Sequence, residues 1–500
     1  MNSVVMERLI EHASESPHRT ALLAGDQQIS YKELLNRVFG MSDFLKQTRQ
    51  DTIGIYLENS IDWVIVDLAA MWSGVVCVPL PGFFSDQQLS HVINAAGITL
   101  VFCSDTHRFS RLGLKFSSCR TIEGISTLFL AASQTDTPRM IGPTKMTFTS
   151  GTTGQPKGVC LPQTVIDNIC LALVRRLGHL PARNHLCVLP LSTLLENIAG
   201  LYVPLIHGKT VLIQTAPELG FTGSSSLDIR QFVGALNRLQ PDSMILLPQL
   251  LAGLVQAQQV GMKLDYTSVF IALGGGKTSP DLINRARAQG LPVYEGYGLS
   301  ECASVVSLNT PGQDRIGSVG KPLDHIEIKI ENGEILVRGN NHAGYLNGGP
   351  VTEDWLHTGD LGHLDTDGFL FVTGRCKDLI ISSFGRNISP EWVESEVLAD
   401  PLFRQCLLFG EARAWCGAIV VTANDQIPSS LIWQQLEAIN LRLPDYARIK
   451  CWIRAIEPFS TVNGFLTSNG RPRRSQILSD YREQINTLYS TDHEVRHDVL

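Results

Sequence analysis

No stretch of this chain is a block of lysine and arginine, and its 500 residues carry a formal charge of −7. A surface built for nucleic acid is therefore not expected. No apolar run is clean enough to span a bilayer. The most apolar stretch, residues 63–84, is interrupted by Asp67, Gly74, Pro79 and Pro81 and reads as a helix, a turn and a buried strand. The N-terminus lacks the basic start and apolar core of a secretory signal and has the spacing of an amphipathic helix. The eleven cysteines include no CxxC pair, so they read as scattered thiols in a reducing, cytoplasmic setting. None of the thirteen histidines falls in an HExxH or at metal-ligand spacing with Cys or Asp, which argues against a structural zinc or a metallohydrolase. GxSxG is absent as well. Two near-motifs fail on spacing. Gly276-Lys277-Thr278 would need glycine where Ile271 stands, and the GxGxxG begun by Gly296 and Gly298 meets Glu301 at its sixth position.

What is present is ordinary for a large globular protein, with 44% hydrophobic and 18% charged residues, and the length implies more than one domain. From residue 30 to about 103, and again from 145 to about 297, helical spacing alternates with short apolar strand runs. Such alternation predicts parallel, right-handed crossover units. Residues 117–145 have weak periodicity and read as a connecting segment. From 317 to 374 the texture changes to short strands with "ENGE" and "TDG" turns, which predict antiparallel hairpins. Beyond residue 377 comes a small α+β unit. The expected architecture is α/β: residues 1–376 form a large N-terminal domain of parallel α/β subdomains plus a small β-rich subdomain, and residues 377–500 form a small, mobile α+β cap.

Chemistry concentrates in "TFTSGTTGQPKGV", residues 147–159. Glycines let backbone N–H groups approach a ligand closely, and the hydroxyls and Lys157 add donors and charge. Between a strand-like segment and a helix, this loop is expected to bind a polyphosphate at the crevice of an α/β sheet. The run "TSGTTGQPKG" resembles the phosphate-loop signature of the adenylate-forming superfamily, which includes acyl-CoA synthetases, luciferases and peptide-synthetase adenylation domains. The resemblance implies ATP contacts from Thr149, Ser150, Gly151, Thr152, Thr153 and Gly154, with Lys157 catalytic. "VYEGYGLSECA" is similar to the family's YGxTE segment, with Ser300 in place of threonine. It implies nucleotide contacts from Glu295, Gly296, Tyr297 and Gly298, a Ser300 hydroxyl on the α-phosphate, and Glu301 as a hard oxygen ligand to Mg²⁺. "WLHTGDLG" places Asp360 on the ribose hydroxyls. "GRCKDLIISSFGRNISPEWVE" places Arg375 on ribose or phosphate, Lys377 at the interdomain hinge, and Gly385 beside the thiol's approach.

One position departs from the family pattern. The adenylation lysine is replaced by Arg471 within "NGFLTSNGRPRR". Arginine keeps the charge but is planar and bulkier, so adenylation through Arg471 is expected, with Arg473 as a substitute and a non-catalytic homologue as the competing reading. The implied reaction joins a carboxylate to AMP with release of pyrophosphate, and a thiol then displaces AMP. "LPLSTLLENIAGLYVPLIHG", residues 189–208, resembles the fatty-acyl pattern, with Thr193 and Asn197 where histidine and arginine are usual, and it lacks the aspartate that pairs with an amino acid. Thr193, Leu194, Gly274 and Gly275 are the expected acyl-site residues, and a hydrophobic carboxylic acid is the expected substrate, a fatty acid first, with medium-chain or aryl acids left open. No serine-bearing carrier domain is evident after Arg474. Nothing between Gly339 and Asp360 is long enough for the insertion of carrier-loading fatty-acyl-AMP ligases. CoA is therefore the expected acceptor, and a separate acyl carrier protein the alternative.

Overall fold

Short apolar strands separated by helices of ten or more residues can pair side by side only through crossovers. The computed structural model follows that rule twice. It describes residues 3–112, 116–122, 125–130, 143–150, 156–222, 226–346, 348–351, 353–384, 386–467, 470–490 and 498–499. In one sheet Thr52–Tyr56 pairs in parallel with Val76–Pro79 and Leu100–Cys103. In the other, Asn184–Cys187 pairs in parallel with Thr210–Ile213 and Ser243–Leu246, and the row continues through Phe270–Leu273 to Val293–Tyr297. Thr20–Ala24 and Pro143–Ser150 each join a sheet in parallel, and antiparallel edges extend both sheets to nine strands among the described residues.

Helix Ile61–Ser73 is apolar on every side because it is enclosed: Trp63, Val64, Ile65, Val66, Leu68, Ala69 and Ala70 are fully buried. Gly74, at φ 73°, stops it in the left-handed conformation, and Val76–Pro79 follows as a buried strand. Among the described residues no helix is long and apolar enough to cross a membrane.

The hairpin-rich region is a four-stranded antiparallel sheet of Glu327–Glu331, Glu334–Arg338, Leu356–Leu364 and Leu370–Arg375. Asn332 and Gly333, at φ 51° and 84°, make its tight turn. Beyond it, Phe403–Phe409, Cys416–Thr422 and Ile449–Arg454 form a sheet flanked by helices Pro390–Leu398 and Ser429–Asn440. Val393, Phe403, Leu436 and Trp452 share a core there. The large α/β part, the small β-rich part and the terminal α+β unit therefore occur as expected.

The segment 117–145 departs from its reading as a connector. Phe116–Ile122 and Ile125–Leu130 form an antiparallel hairpin, and the second strand pairs with Leu100–Cys103 at the sheet edge. Ile125–Leu130 is paired on both sides and Phe116–Ile122 is the outermost strand of this sheet among the described residues, so the latter has no need of the apolar run that marks a central strand.

Candidate active site

The phosphate-loop segment is the tip of a β-hairpin. Pro143–Ser150 turns back as Pro156–Pro162, with Thr149 opposite Lys157 and Ser150 opposite Pro156. The expected passage from strand directly into helix is thereby corrected, because helix Gln163–Leu177 starts only after the return strand. The Ser150 side chain and Gly151, Thr152, Thr153 and Gly154 lie outside the described residues. Gly158 permits close packing of the next element: a Cβ there would stand 3.0 Å from the Phe148 ring and 3.1 Å from the Leu346 Cβ. That element, strand Gly344–Tyr345, joins the return strand with Tyr345 opposite Val159. Lys157 is exposed, and its Nζ lies 5.9 Å from the centre of the Tyr345 ring.

The second motif spans the end of strand Val293–Tyr297 and the short helix Ser300–Cys302. Gly298 is required by the turn between them, since a Cβ would lie 1.5 Å from the Ser304 carbonyl oxygen. Gly296 pairs with Leu308, and Ser300 is half-buried. The half-buried Glu301 accepts a hydrogen bond from the Tyr345 hydroxyl at Oε1, 2.9 Å away. Burial beside that carboxylate raises the Tyr345 pKa, which keeps the hydroxyl a donor. Glu295 is buried and accepts from the Thr278 N–H at 3.3 Å. Its burial pushes the carboxyl up to about 7, with Lys277 opposing the shift.

Strand register sets the third group, with Asp360 paired opposite Arg375. Asp360 is buried; its Oδ2 accepts from the Tyr297 hydroxyl at 2.6 Å, and its Oδ1 lies 3.1 Å from the Arg375 Nε. Both oxygens of the carboxylate expected at ribose are thus engaged. Arg471 lies in the C-terminal unit, where the Gly470 N–H bonds the Thr467 carbonyl at 2.9 Å and the Arg471 N–H bonds the Thr467 Oγ1 at 3.0 Å. Its guanidinium interacts electrostatically with Arg375, Glu391, Asp360 and Asp378. Solvent still reaches the side chain, so screening moderates these interactions. Arg474 points elsewhere, pairing with Glu394 at 2.5 Å and donating to the Leu408 carbonyl at 2.6 Å. Lys377 is exposed in the short helix Cys376–Asp378, directly after Arg375. Gly385 lies outside the described residues.

The candidate acyl segment contains a feature that its spacing hides. Leu195–Tyr202 is a π-helix, an uncommon form often found at functional sites. Leu194 is buried ahead of it, while the Thr193 hydroxyl donates to the Pro190 carbonyl at 2.7 Å. A Cβ on Gly274 would touch Leu195 at 3.4 Å, and one on Gly275 would meet Leu247 at 2.7 Å. The first is an ordinary contact, so it is Gly275, at φ 83°, that preserves space, against Leu247.

Two buried polar groups behind the segment have no counterpart in the motif reading. The inaccessible Glu196 accepts from the Leu189 N–H at 2.8 Å and lies 3.2 Å from the His185 Nε2. The buried Lys145 donates to Asp67 at 2.6 Å, to Asn197 at 2.6 Å and to the Tyr202 hydroxyl at 2.9 Å. The single available clue was an ionisable residue inside each of two apolar elements.

The chain matches the AMP-binding enzyme family over residues 9–346 and the AMP-binding enzyme C-terminal domain over residues 377–493. It is 29% identical to a 2-succinylbenzoate–CoA ligase of Bacillus subtilis, across 81% of this chain and 85% of that protein. To long-chain-fatty-acid–CoA ligase 5 of Rattus norvegicus it is 24% identical, across 93% and 85%. The solved o-succinylbenzoate CoA synthetase of Bacillus subtilis, in complex with its acyl-adenylate intermediate, superposes with a TM-score of 0.74 at 24% identity, covering 95% of this chain and 98% of that one. An anthranilate CoA ligase in complex with anthranoyl-AMP gives 0.79 at 17% identity, covering 97% and 98%. At these identities the structural likeness speaks for the fold, and the family match speaks for descent. The chain belongs to the AMP-binding enzyme family, with the fold of the adenylate-forming superfamily.

Proposed function

We propose that this chain is an acid–thiol ligase, which uses ATP and Mg²⁺ to convert a hydrophobic carboxylic acid to an acyl-adenylate and then transfers the acyl group to CoA. The observation that carries the reading is the buried Asp360 carboxylate, which accepts from the Tyr297 hydroxyl at 2.6 Å and lies 3.1 Å from the Arg375 Nε, so that three of the motifs meet at one point. In the first half-reaction a carboxylate oxygen attacks the α-phosphorus of ATP, and the bond to pyrophosphate breaks. Lys157 and Arg471 supply positive charge to oxygens that grow more negative in the transition state. Asp360 and Tyr297 orient the nucleoside, with the carboxylate accepting from ribose hydroxyls. In the second half-reaction a thiol sulfur attacks the acyl carbon, AMP leaves, and the thiol proton passes to solvent.

Glu301 suits Mg²⁺. The half-buried Glu301 carboxylate, a hard oxygen donor, would hold the ion. When bound, it neutralises charge on the phosphate oxygens.

The acid is the finer part of the proposal. Leu194, Leu195, Gly274 and Gly275 offer no charge to pair with an ammonium or a second carboxylate. The relatives named above for anthranilate and long-chain fatty acids support an aryl or alkyl acid with one carboxylate, whereas the one named for 2-succinylbenzoate, which has two carboxylates, supports the aryl class but not an uncharged lining. Acid-dependent pyrophosphate release, with and without CoA, tests the proposal. Apolar acids are expected to drive release, and a thioester is expected only with CoA. Release driven best by an amino acid, or by no acid at all, would refute it.

A further inference from the structure

Tyr345 stands between the two charged residues to which the preceding section gives nucleotide roles, and none of the motifs includes it. Its strand, Gly344–Tyr345, lies antiparallel to the return strand of the phosphate hairpin, with Tyr345 opposite Val159. Side chains alternate along a strand, so Lys157 and Val159 share a face and Tyr345 is a diagonal neighbour of Lys157. The Lys157 Nζ is 5.9 Å from the ring centre, within reach of its π-face. At the other end of the ring, the hydroxyl donates to the Glu301 Oε1 at 2.9 Å.

The ring itself is braced. His342, only 3% exposed, meets it edge-on with centroids 4.8 Å apart and an interplanar angle of 78°. The His342 N–H donates to the Glu301 carbonyl at 2.8 Å, while the Ala343 and Leu346 N–H groups bond Cys160 and Gly158 at 2.9 and 2.7 Å. A single strand thus ties the hairpin that carries Lys157 to the turn that carries Glu301.

We propose that Tyr345 is a positioning residue of the nucleotide site: its hydroxyl orients the Glu301 carboxylate and its ring face holds the Lys157 ammonium. The inference rests on the roles proposed above for Lys157 and Glu301. Both are flexible side chains, and restraining them before the nucleotide arrives lowers the ordering cost of binding. The two contacts are separable. Tyr345→Phe removes only the hydroxyl, whereas Tyr345→Leu also removes the ring.

The test uses the full chain. Acid-dependent pyrophosphate release is followed as Mg²⁺ is titrated, and calorimetry measures binding of MgATP and of ATP in chelator. Tyr345→Phe is expected to raise the half-saturating Mg²⁺ and to weaken MgATP binding, each roughly tenfold, while binding of metal-free ATP stays as in the wild type. Tyr345→Leu is expected to weaken metal-free ATP as well, by about threefold, through Lys157. A Tyr345 that only supports the fold would lower the melting midpoint without changing the Mg²⁺ dependence, and that outcome overturns the inference. If the leucine variant does not fold, the phenylalanine variant decides alone, since it conserves the packing. A wild-type chain that neither binds MgATP nor releases pyrophosphate would refute the nucleotide reading beneath. A wild type that does both, with Tyr345→Phe matching it at limiting Mg²⁺, would refute the inference alone.

Discussion

Replacing Arg471 with alanine should separate the two half-reactions. The guanidinium lies in the fields of Arg375, Glu391, Asp360 and Asp378, and in the proposed reaction it is the cation that the C-terminal unit supplies. Arginine stays charged in any such setting. A charge-assisted contact from it to an α-phosphate or substrate carboxylate oxygen is worth about 2–4 kcal/mol in the transition state, or about 30- to 1,000-fold in rate. Stability should hardly change. The turn is built from the Gly470 and Arg471 amides on Thr467, and removing an exposed side chain costs within about 0.5 kcal/mol. Acid-dependent exchange of pyrophosphate with ATP reads the first half-reaction, and thioester formation from supplied acyl-adenylate reads the second. Arg471→Ala is expected to slow the exchange by that factor and to leave the thioester step nearly intact. Arg471→Lys, which keeps the charge, should retain much of the exchange rate. Unchanged exchange in the alanine variant would refute the reasoning and turn attention to Arg473. Equal losses in both steps would refute the asymmetry.

Lys157→Ala should raise the KM for ATP roughly tenfold with the melting midpoint unchanged, because the exposed ammonium works on ligand rather than on packing; an unaltered KM and turnover would count against the phosphate role. Gly200→Ala should destabilise the chain by about 3 kcal/mol or more, since its Cβ would fall 1.9 Å from the Glu196 Oε1, and displacing Glu196 breaks its bond to the Leu189 N–H. A urea midpoint equal to that of the wild type would sink that account of the π-helix. Glu295 makes a prediction in pH. Burial raises its carboxyl from 4.5 to about 7 in the folded chain, so the native state keeps a proton that the unfolded chain releases between those values. Its contribution to stability is complete below about pH 4.5 and is lost as pH rises toward 7, a difference of about 3 kcal/mol. Glu295→Gln should therefore flatten the fall in unfolding midpoint between about pH 5 and 8; an identical pH profile would show that Glu295 does not titrate there.

The alternating helices and strands could be read from the chain because each is written in local spacing. Ser85 and Gln88 form a reciprocal cap at the start of helix Asp86–Ala96, and Asn332-Gly333 makes a turn that needs positive φ at both residues. The phosphate hairpin was misread for the opposite reason. Pro156–Pro162 carries proline, lysine and glycine in place of an apolar alternation, and its strand form depends on Pro143–Ser150 on one side and Gly344–Tyr345 on the other. The hairpin at Phe116–Ile122 was missed in the same way, because an edge strand takes its order from a partner rather than from its own composition. In the π-helix, neither Glu196 nor Gly200 is unusual alone; the carboxylate folds inward only because glycine leaves the room.

The candidate site divides along the same line. Residue types alone were sufficient to propose a phosphate loop around Lys157; Glu301, Asp360, Arg375 and Arg471 joined it as one constellation through the resemblance of their motifs to a known family. Which atoms meet was decided by the tertiary structure alone. Strand register sets Asp360 opposite Arg375 and brings Tyr345 between Lys157 and Glu301. The physical reason is that hydrogen bonds and charges act over a few ångströms of space, and spacing along a sequence does not record how distant strands come into register.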